Sequence, residues 1–243
     1  MQNHIHLQTT DSTNNYLRRL HEKGDILPSF FAVSTDFQTN GKGSRQKSWQ
    51  SEAGKNLLTS IWLDLQVPVK EQFTISFRVA LSIAQFLTNT CKIADIRIKY
   101  PNDIYAGRRK ICGILIENIL SNNFVKNSIV GIGLNVNQLR FSPTLPNPTS
   151  IFLQTNKEWN IFDCLSQIVD NLKVISNLPQ EIIHKKYQQK LYLLGQICDF
   201  QVHNDHFLQA KIEGVDTTGN LIVSDNNQQY RFAHNEITMI VES

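Results

Sequence analysis

The hydrophobic pattern of this chain changes after residue 194, and that change constrains the fold more than any other feature of the sequence. Over 71–90 and 161–176, apolar side chains recur at the spacing of one helical face. From 194 to 243, short alternating segments are separated by turn residues such as Asp216-Thr-Thr-Gly219. We therefore predict an α+β protein of two units: residues 1–193, which mix helices and strands, and a small β domain at 194–243 with the strand pattern of a barrel.

The larger unit alternates predicted helices with predicted strands. A helix begins at Ser12 or Thr13, either of which suits the N-cap, and Gly24 suits its end. The helix over 161–176 follows a capping Asn160, and a further helix starts at Pro179 and continues to about residue 191. Strands are predicted at 30–34, 56–63, 96–99 and 129–136, and a hairpin joins 104–106 to 110–119 through a turn at 107–108.

The composition argues against several classes of function. Net charge is +3, from 24 basic and 21 acidic side chains, so the sequence does not indicate a nucleic-acid-binding protein. The four cysteines, at 91, 112, 164 and 198, form no metal-binding spacing, and the seven histidines cluster at the two ends, so we predict no structural metal. No stretch approaches the roughly 18 apolar residues of a membrane span, and the N-terminus lacks a signal pattern. We expect a cytoplasmic protein that binds no membrane.

A glycine-rich loop, Gly41-Lys-Gly-Ser-Arg-Gln-Lys-Ser-Trp49, carries the strongest signal for a ligand. Its glycines let backbone N–H groups approach a ligand closely, and its three cations can neutralise an anion. The loop is neither a P-loop nor a dinucleotide fingerprint, because the spacing of both motifs is missing. The alternative is an exposed, solvated turn with Trp49 in the core. If the loop does bind a ligand, Trp49 can seal an apolar part of that ligand when the loop closes.

Three segments downstream add to this signal. Lys99-Tyr-Pro-Asn-Asp103 ends a strand with polar side chains that either cap the turn or bind a polar ligand or hydrated Mg²⁺. Lys110, three residues before Gly113, is either a solvated surface lysine or a charge that brings a carboxylate and a phosphate together. Gly131-Ile-Gly-Leu-Asn135-Val-Asn137 is either a bulged central strand or an opened wall of a site.

Together, and in this order, these segments resemble the biotin protein ligases. The matching segments are Ser-Thr-Asn at 12–14, Gln38, the glycine-rich loop to Trp49, 54–57, 99–103, 110–115 and 131–137. The resemblance implies a mixed β-sheet catalytic domain flanked by helices, at 1–193, and a small SH3-like β-barrel at 194–243. Because the Ser-Thr-Asn motif begins at residue 12, we expect the ligase-only type without an N-terminal DNA-binding domain.

The resemblance also implies two half-reactions. The biotin carboxylate attacks the α-phosphate of ATP, which is bound with Mg²⁺, and gives biotinyl-5′-AMP and pyrophosphate. A lysine of a biotin carboxyl carrier protein domain then attacks the acyl carbon, and AMP leaves. Such chemistry depends on positioning and charge neutralisation more than on an activated nucleophile. The family also leads us to expect a homodimer as one arrangement of the chain.

By motif match, the site residues fall into three groups, with Lys110 as the catalytic residue. The biotin-binding residues are Ser12, Thr13, Asn14, Gln38, Gly41, Lys42, Gly43, Lys110, Gly113, Gly131 and Gly133. The ATP-binding residues are Ser44, Arg45, Lys47, Trp49, Lys110 and Asn135. Asn102 and Asp103 support the acceptor lysine and the metal that accompanies ATP.

One departure from the family pattern and two alternative functions qualify this interpretation. Ser44 stands where an arginine often holds the adenylate, and Lys42 cannot form the paired hydrogen bonds of an arginine, so we expect faster release of the intermediate. A lipoate- or octanoyl-transfer protein is the alternative enzyme, although Ser12, Thr13 and Gln38 favour the ureido ring of biotin. A biotin-binding sensor without ligase activity is the alternative outside enzymes.

Overall fold

The computed structural model describes residues 3–44, 47–202, 206–226 and 228–240. Most of the chain surrounds a seven-stranded mixed sheet with the strand order β1-β2-β3-β7-β6-β5-β4, in which β1 and β2 are parallel and the other neighbours antiparallel. The strands are β1 (His4–Thr10), β2 (Phe31–Gln38), β3 (Leu57–Pro68), β4 (Ile96–Lys99), β5 (Asp103–Ala106), β6 (Arg109–Ser121) and β7 (Phe124–Leu134).

Helices cover both faces of this sheet. They are α1 (Thr13–Glu22), α2 (Phe73–Gln85), α3 (Ile151–Thr155), α4 (Ile161–Ser176) and α5 (Gln180–Lys190). Successive strand residues point to opposite faces, so Ile61 joins the core beneath α2 and α4, whereas its neighbour Trp62 packs with Leu17 of α1. The N-terminus of α1 therefore lies over the face of the sheet that carries Trp62.

The register of the central strands places small residues side by side on that α1 face. Gly113 of β6 lies opposite Gly133 of β7 and, on its other side, opposite Asp103 of β5. Two residues back along β7, Gly131 lies opposite Ser60 of β3. These positions leave space above the sheet, next to the first turn of α1, because no side chain larger than serine rises from them except that of Asp103.

The C-terminal strands form a second sheet, antiparallel, with the order β11-β10-β9-β8-β12. These strands are β8 (Ile197–Val202), β9 (His206–Val215), β10 (Leu221–Ser224), β11 (Gln229–Phe232) and β12 (Ile237–Met239). Its interior joins the main core cluster, and the Tyr100 hydroxyl donates a hydrogen bond of 2.9 Å to the carbonyl of Gly219. Pairing between β11 and β12, which would close a barrel, is not seen among the described residues of this sheet.

Most predicted elements are confirmed, with a few corrections. The helix expected over 71–90 comprises α2 followed by a π-helical turn at Phe86–Thr90, and Asn160 caps α4 as predicted, accepting from the N–H of Phe162 at 2.9 Å. Ser12 occupies the N-cap of α1 but makes no side-chain capping bond, and the first N–H of the helix, that of Thr13, donates to Gln38. Two elements were missed: the edge strand β1 and the single-turn helix α3. The boundary between 193 and 194 stays a prediction, and no helix in the described ranges is long and apolar enough to cross a bilayer.

Candidate functional site

A small cavity lies where the first turn of α1 meets the glycine positions of β6 and β7. Fourteen of the predicted site residues line it, together with Thr59, Ile114, Leu115 and Ile132. These fourteen are Ser12, Thr13, Asn14, Gln38, Lys42, Gly43, Ser44, Trp49, Asn102, Asp103, Lys110, Gly113, Gly131 and Gly133. Segments as far apart in sequence as Ser12 and Gly133 therefore meet at one place.

The indole ring of Trp49 fills the space above the two facing glycines. A Cβ atom added at Gly133 would lie 2.5 Å from Cε2 of Trp49, and one added at Gly113 would lie 2.8 Å from its Cζ3. Any larger residue at these positions would expel the ring. In this structure Trp49 thus occupies the slot that the sequence assigned to the ligand, and the cavity that is left measures about 50 Å³, enough for a few water molecules only.

Trp49 also lacks a hydrogen bond in this position. Its indole Nε1 is buried and has no hydrogen-bond partner among the described residues. A buried donor without a partner costs about 1–3 kcal/mol. A ligand can therefore compete with the Trp49 ring for this space.

The end of the cavity next to α1 is polar. The backbone N–H of Thr13 donates to Oε1 of Gln38 at 2.8 Å, and the Thr13 hydroxyl lies 3.2 Å from the same oxygen. This places the amide nitrogen of Gln38 on the other side, where a Cβ added at Gly41 would lie 3.0 Å from it. Hydroxyl, amide and backbone groups converge here, as recognition of a neutral polar ring requires.

Two residues that sequence reasoning missed stand behind this polar end. Ser60, fully buried on β3, places its hydroxyl oxygen 2.5 Å from Oδ1 of Asn14, and Glu117 on β6 accepts a 3.0 Å hydrogen bond from the Asn14 amide nitrogen. The register of β3, β6 and β7 brings both under α1. No local sequence signal could identify either residue, because each acquires its role from a partner far away in the chain.

The opposite end of the cavity is charged. The ammonium group of Lys110 lies 2.7 Å from Oδ1 of Asp103 and 5.6 Å from the centroid of the Trp49 ring. Its side chain is 29% exposed, so it points into the cavity rather than into bulk solvent. The strand position is fixed by the loop that precedes α3, since the Lys110 N–H donates to the carbonyl of Asn147 at 2.8 Å and its carbonyl accepts from Thr149 at 2.8 Å.

The glycine-rich loop folds over this cavity and is attached to α1. Nζ of Lys42 donates to Oδ1 of Asn15 at 2.7 Å, and the N–H of Trp49 donates to the carbonyl of Gly41 at 2.9 Å. The ammonium group of Lys42 therefore contacts α1, although Lys42 also lines the cavity. Arg45 lies outside the described residues.

Two predicted ATP-binding residues lie apart from the cavity lining. Lys47 lines a larger groove next to it. Asn135 is buried, and its amide nitrogen donates to the carbonyl of Thr149 at 2.8 Å, so this side chain supports the loop beside Lys110. The assignment of both residues to the nucleotide phosphates stays a prediction.

The larger groove, of about 440 Å³, runs between the main sheet and the second sheet. Both spaces are lined by Ser44, Asn102, Asp103, Ile114 and Leu115, so they meet at the end of β4. From the second sheet the groove is lined by residues that include Asn235 and Met239. A molecule bound in the groove would thus reach the Lys110–Asp103 pair from the side opposite the polar end.

The chain is similar to known proteins both in sequence and in structure. The chain is 32% identical over 149 residues to the bifunctional ligase/repressor BirA of Escherichia coli, a match that covers 61% of this chain and 45% of that protein. It is 32% identical over 131 residues to the biotin–[acetyl-CoA-carboxylase] ligase of Paracoccus denitrificans, covering 54% of this chain and 53% of that protein. The matches thus span about half the length of these relatives.

The structural similarity extends further. The biotin protein ligase from Aquifex aeolicus, solved in complex with biotin and ATP, superposes with a TM-score of 0.79 at 25% sequence identity, and the match covers 100% of both chains. Residues 7–135, which include the polar end, the glycine-rich loop and the Lys110–Asp103 pair, match the family described as the biotin/lipoate A/B protein ligase family. The chain therefore belongs to the biotin/lipoate A/B protein ligase family.

Proposed function

We propose that this chain is a biotin–protein ligase, which activates biotin with ATP to biotinyl-5′-AMP and transfers the biotinyl group to a lysine of a carrier domain. The observation that carries the proposal is the ammonium of Lys110 inside the cavity, 2.7 Å from Asp103 and across from a polar end built by Thr13 and Gln38. One end suits a neutral ring that carries hydrogen-bonding groups, and the other suits an anion.

Lys110 answers the main physical difficulty of the first half-reaction. A carboxylate must approach the α-phosphate of ATP, and the two anions repel each other. A fixed cation between them offsets this repulsion, and it stabilises the charge that builds on the phosphate oxygens in the transition state. Asp103 holds the ammonium in place before the substrates arrive, as the 2.7 Å contact indicates.

The residues at the end of β4 fit the Mg²⁺ that accompanies ATP. Magnesium prefers oxygen ligands and is commonly held by one or two carboxylates plus substrate phosphates. Asp103 offers a carboxylate, whereas the Asn102 amide nitrogen donates to the carbonyl of Ile114 at 2.7 Å, which turns the amide oxygen away from that strand. When bound, the ion would neutralise phosphate charge; the protein would contribute its anchorage at Asp103.

For the second half-reaction, we assign the larger groove to the carrier domain. The acceptor lysine must reach the acyl carbon near Lys110, and the groove meets the cavity at Asn102 and Asp103. A lysine side chain that enters from the groove would approach the acyl carbon from the side opposite the polar end of the cavity. The homodimer and the cytoplasmic location stay predictions.

Labelling of a carrier domain tests the proposal. The chain is incubated with ATP, Mg²⁺, biotin and a purified biotin carboxyl carrier domain, and transfer is read on an avidin blot. A carrier domain whose acceptor lysine is replaced by arginine serves as the control. We expect labelling of the intact carrier only, and only with ATP; an unlabelled carrier at high enzyme concentration would contradict the assignment.

A lipoate-transfer function is the second candidate, because the matched family includes both ligase types. Ligand binding to the folded state raises apparent thermal stability in proportion to the logarithm of concentration over Kd. We expect biotin to raise the melting temperature of the chain and lipoate to leave it unchanged at the same concentration. A shift with lipoate and none with biotin would reverse the choice.

A further inference from the structure

Four polar side chains form a hydrogen-bonded line that leads away from the cavity beneath α1. Oγ of Ser60 lies 2.7 Å from Oγ1 of Thr13 and 2.5 Å from Oδ1 of Asn14, and the Asn14 amide nitrogen lies 3.0 Å from Oε2 of Glu117. Ser60 is 0% exposed and Asn14 3%. Because these two side chains are shielded from water, their hydrogen bonds must be supplied by the protein itself, whereas Glu117 at the end of the line is 25% exposed.

Chemistry at the far end fixes the direction of every hydrogen bond. The carboxylate of Glu117 can only accept hydrogen bonds. The same holds for the carbonyl of Leu115, which lies 3.5 Å from the Asn14 nitrogen. The amide nitrogen of Asn14 must therefore face Glu117, and its oxygen must face Ser60. The single hydroxyl proton of Ser60 is then drawn toward Asn14, which can only accept it.

This direction carries through to the cavity. With the Ser60 proton committed to Asn14, the Thr13 hydroxyl has two inward acceptors for its own proton, the Ser60 oxygen at 2.7 Å and Oε1 of Gln38 at 3.2 Å. Both lie within the protein. What Thr13 offers to the cavity is consequently a lone pair, which accepts a hydrogen bond from a ligand N–H group.

We propose that Glu117 is a positioning residue that sets Thr13 as an acceptor and thereby selects a ligand bearing a neutral N–H group. The inference rests on the proposed function, in which that group is an N–H of the ureido ring of biotin. Glu117 does not touch the ligand; it acts through Asn14 and Ser60. On its outer side, Arg18 lies 3.3 Å from the same oxygen, Oε2.

Two substitutions at this position separate acceptor capacity from shape and charge. Glu117→Met keeps the length of the side chain but removes the nearer acceptor. The Asn14 nitrogen is left with only the carbonyl of Leu115 at 3.5 Å, so Asn14 can turn this nitrogen toward Ser60 and reverse the line. Glu117→Gln keeps one acceptor oxygen and can retain the order. Isothermal titration with biotin alone should show a Kd about tenfold higher for Glu117→Met, the effect of one mis-set hydrogen bond, and a Kd within about threefold of wild type for Glu117→Gln.

A rescue experiment tests the contact between Asn14 and Glu117 by changing Asn14. Asn14→Asp alone sets two carboxylates against each other and should weaken biotin binding more than Glu117→Met does. In the double variant Asn14→Asp/Glu117→Gln, the glutamine nitrogen can donate to one aspartate oxygen while the other accepts from Ser60. This removes the repulsion between the two carboxylates while Ser60 still donates to residue 14, so the double variant should bind biotin more tightly than Asn14→Asp alone.

Controls distinguish a positioning role from general damage to the fold. Arg18→Met removes the outer cation and should leave the biotin Kd within about twofold. For Glu117→Met, KM for biotin should rise in a pyrophosphate-release assay, whereas KM for ATP and kcat at saturating biotin should stay as in wild type.

The outcomes separate this inference from the proposed function. Wild-type binding of biotin together with an unchanged Kd in Glu117→Met would overturn the positioning role alone. The same conclusion follows if the double variant binds no better than Asn14→Asp. A wild-type chain that fails to bind biotin would overturn both.

Discussion

Replacement of Gly131 by alanine measures how firmly Asn14 is held over the sheet. The added Cβ atom would lie 2.5 Å from Oδ1 of Asn14, closer than Cβ contacts in folded proteins come, and a tight 3.1 Å from its Cγ. Asn14 must therefore move, yet Ser60 and Glu117 hold it from two sides at 2.5 and 3.0 Å. The clash can be relieved only by breaking one or both of these hydrogen bonds.

The size of the effect follows from burial. A polar group left buried without its partner costs about 1–3 kcal/mol, whereas alanine in place of glycine within a strand regains roughly 0.5–1 kcal/mol of chain entropy. We expect the free energy of unfolding of Gly131→Ala to fall by about 1 kcal/mol, and by no more than about 2.5 kcal/mol, the difference of these terms. Urea denaturation followed by circular dichroism gives the value, with an unchanged m-value as the sign of an unchanged transition.

A double-mutant cycle decides whether Asn14 is the cause. Asn14→Ala removes the atoms that the new Cβ would meet, so Gly131→Ala in that background should cost at least about 1 kcal/mol less than in wild type. If the two substitutions were additive within error, the loss would come from elsewhere in β7, and the reasoning about the clash would be refuted.

Three further predictions concern other parts of the molecule. Gly219→Ala should destabilise the fold by about 2–4 kcal/mol, because its Cβ would lie 1.9 Å from Cγ of Phe73. Gly24→Ala, at a similar φ of +87° with open space around it, should cost only about 1 kcal/mol. Equal losses in urea denaturation would contradict this account of the contact between the second sheet and α2. Biotin should change the intrinsic fluorescence by moving the indole of Trp49, and the change should vanish in Trp49→Phe; a change that persists there would assign it to another tryptophan. Burial raises the pKa of all four thiols, and only Cys198 is partly accessible. Ellman's reagent should therefore react quickly with no more than one thiol before unfolding and with four afterwards. Two fast-reacting thiols in the folded protein would contradict the burial of the other three cysteines.

Much of the fold could be predicted because its strands and helices bury one face each. The apolar spacing of α4 and the alternation of the C-terminal strands are visible in sequence, and the structure has both. The edge strand β1, His4–Thr10, was missed because none of its residues is fully buried and only Ile5 and Leu7 are apolar. The helix α3 has five residues, too few to show a period.

The candidate site was predictable where a local motif carries it, and not where a tertiary contact does. The sequence brought Lys110, Asp103 and the glycine positions together through their motifs, and the structure places them in one cavity. Ser60 reads as one more strand residue, and only its contact with Asn14, 46 positions away, gives it a role. The packing of Trp49 over the paired glycines depends on strand register, which the sequence does not display.

The central claim is that the ammonium of Lys110 makes acyl-adenylate formation possible, and biotin-dependent pyrophosphate release tests it most directly. Lys110→Gln keeps a donor for Asp103 but removes the charge, and Lys126→Gln, at an exposed position on β7, is the matched control. The account predicts that Lys110→Gln keeps the wild-type melting temperature and loses a factor of about 10²–10³ in rate, as the loss of one preorganised electrostatic contact does, while the control is unaffected. A Lys110→Gln enzyme that releases pyrophosphate within a few-fold of the wild-type rate would contradict the account.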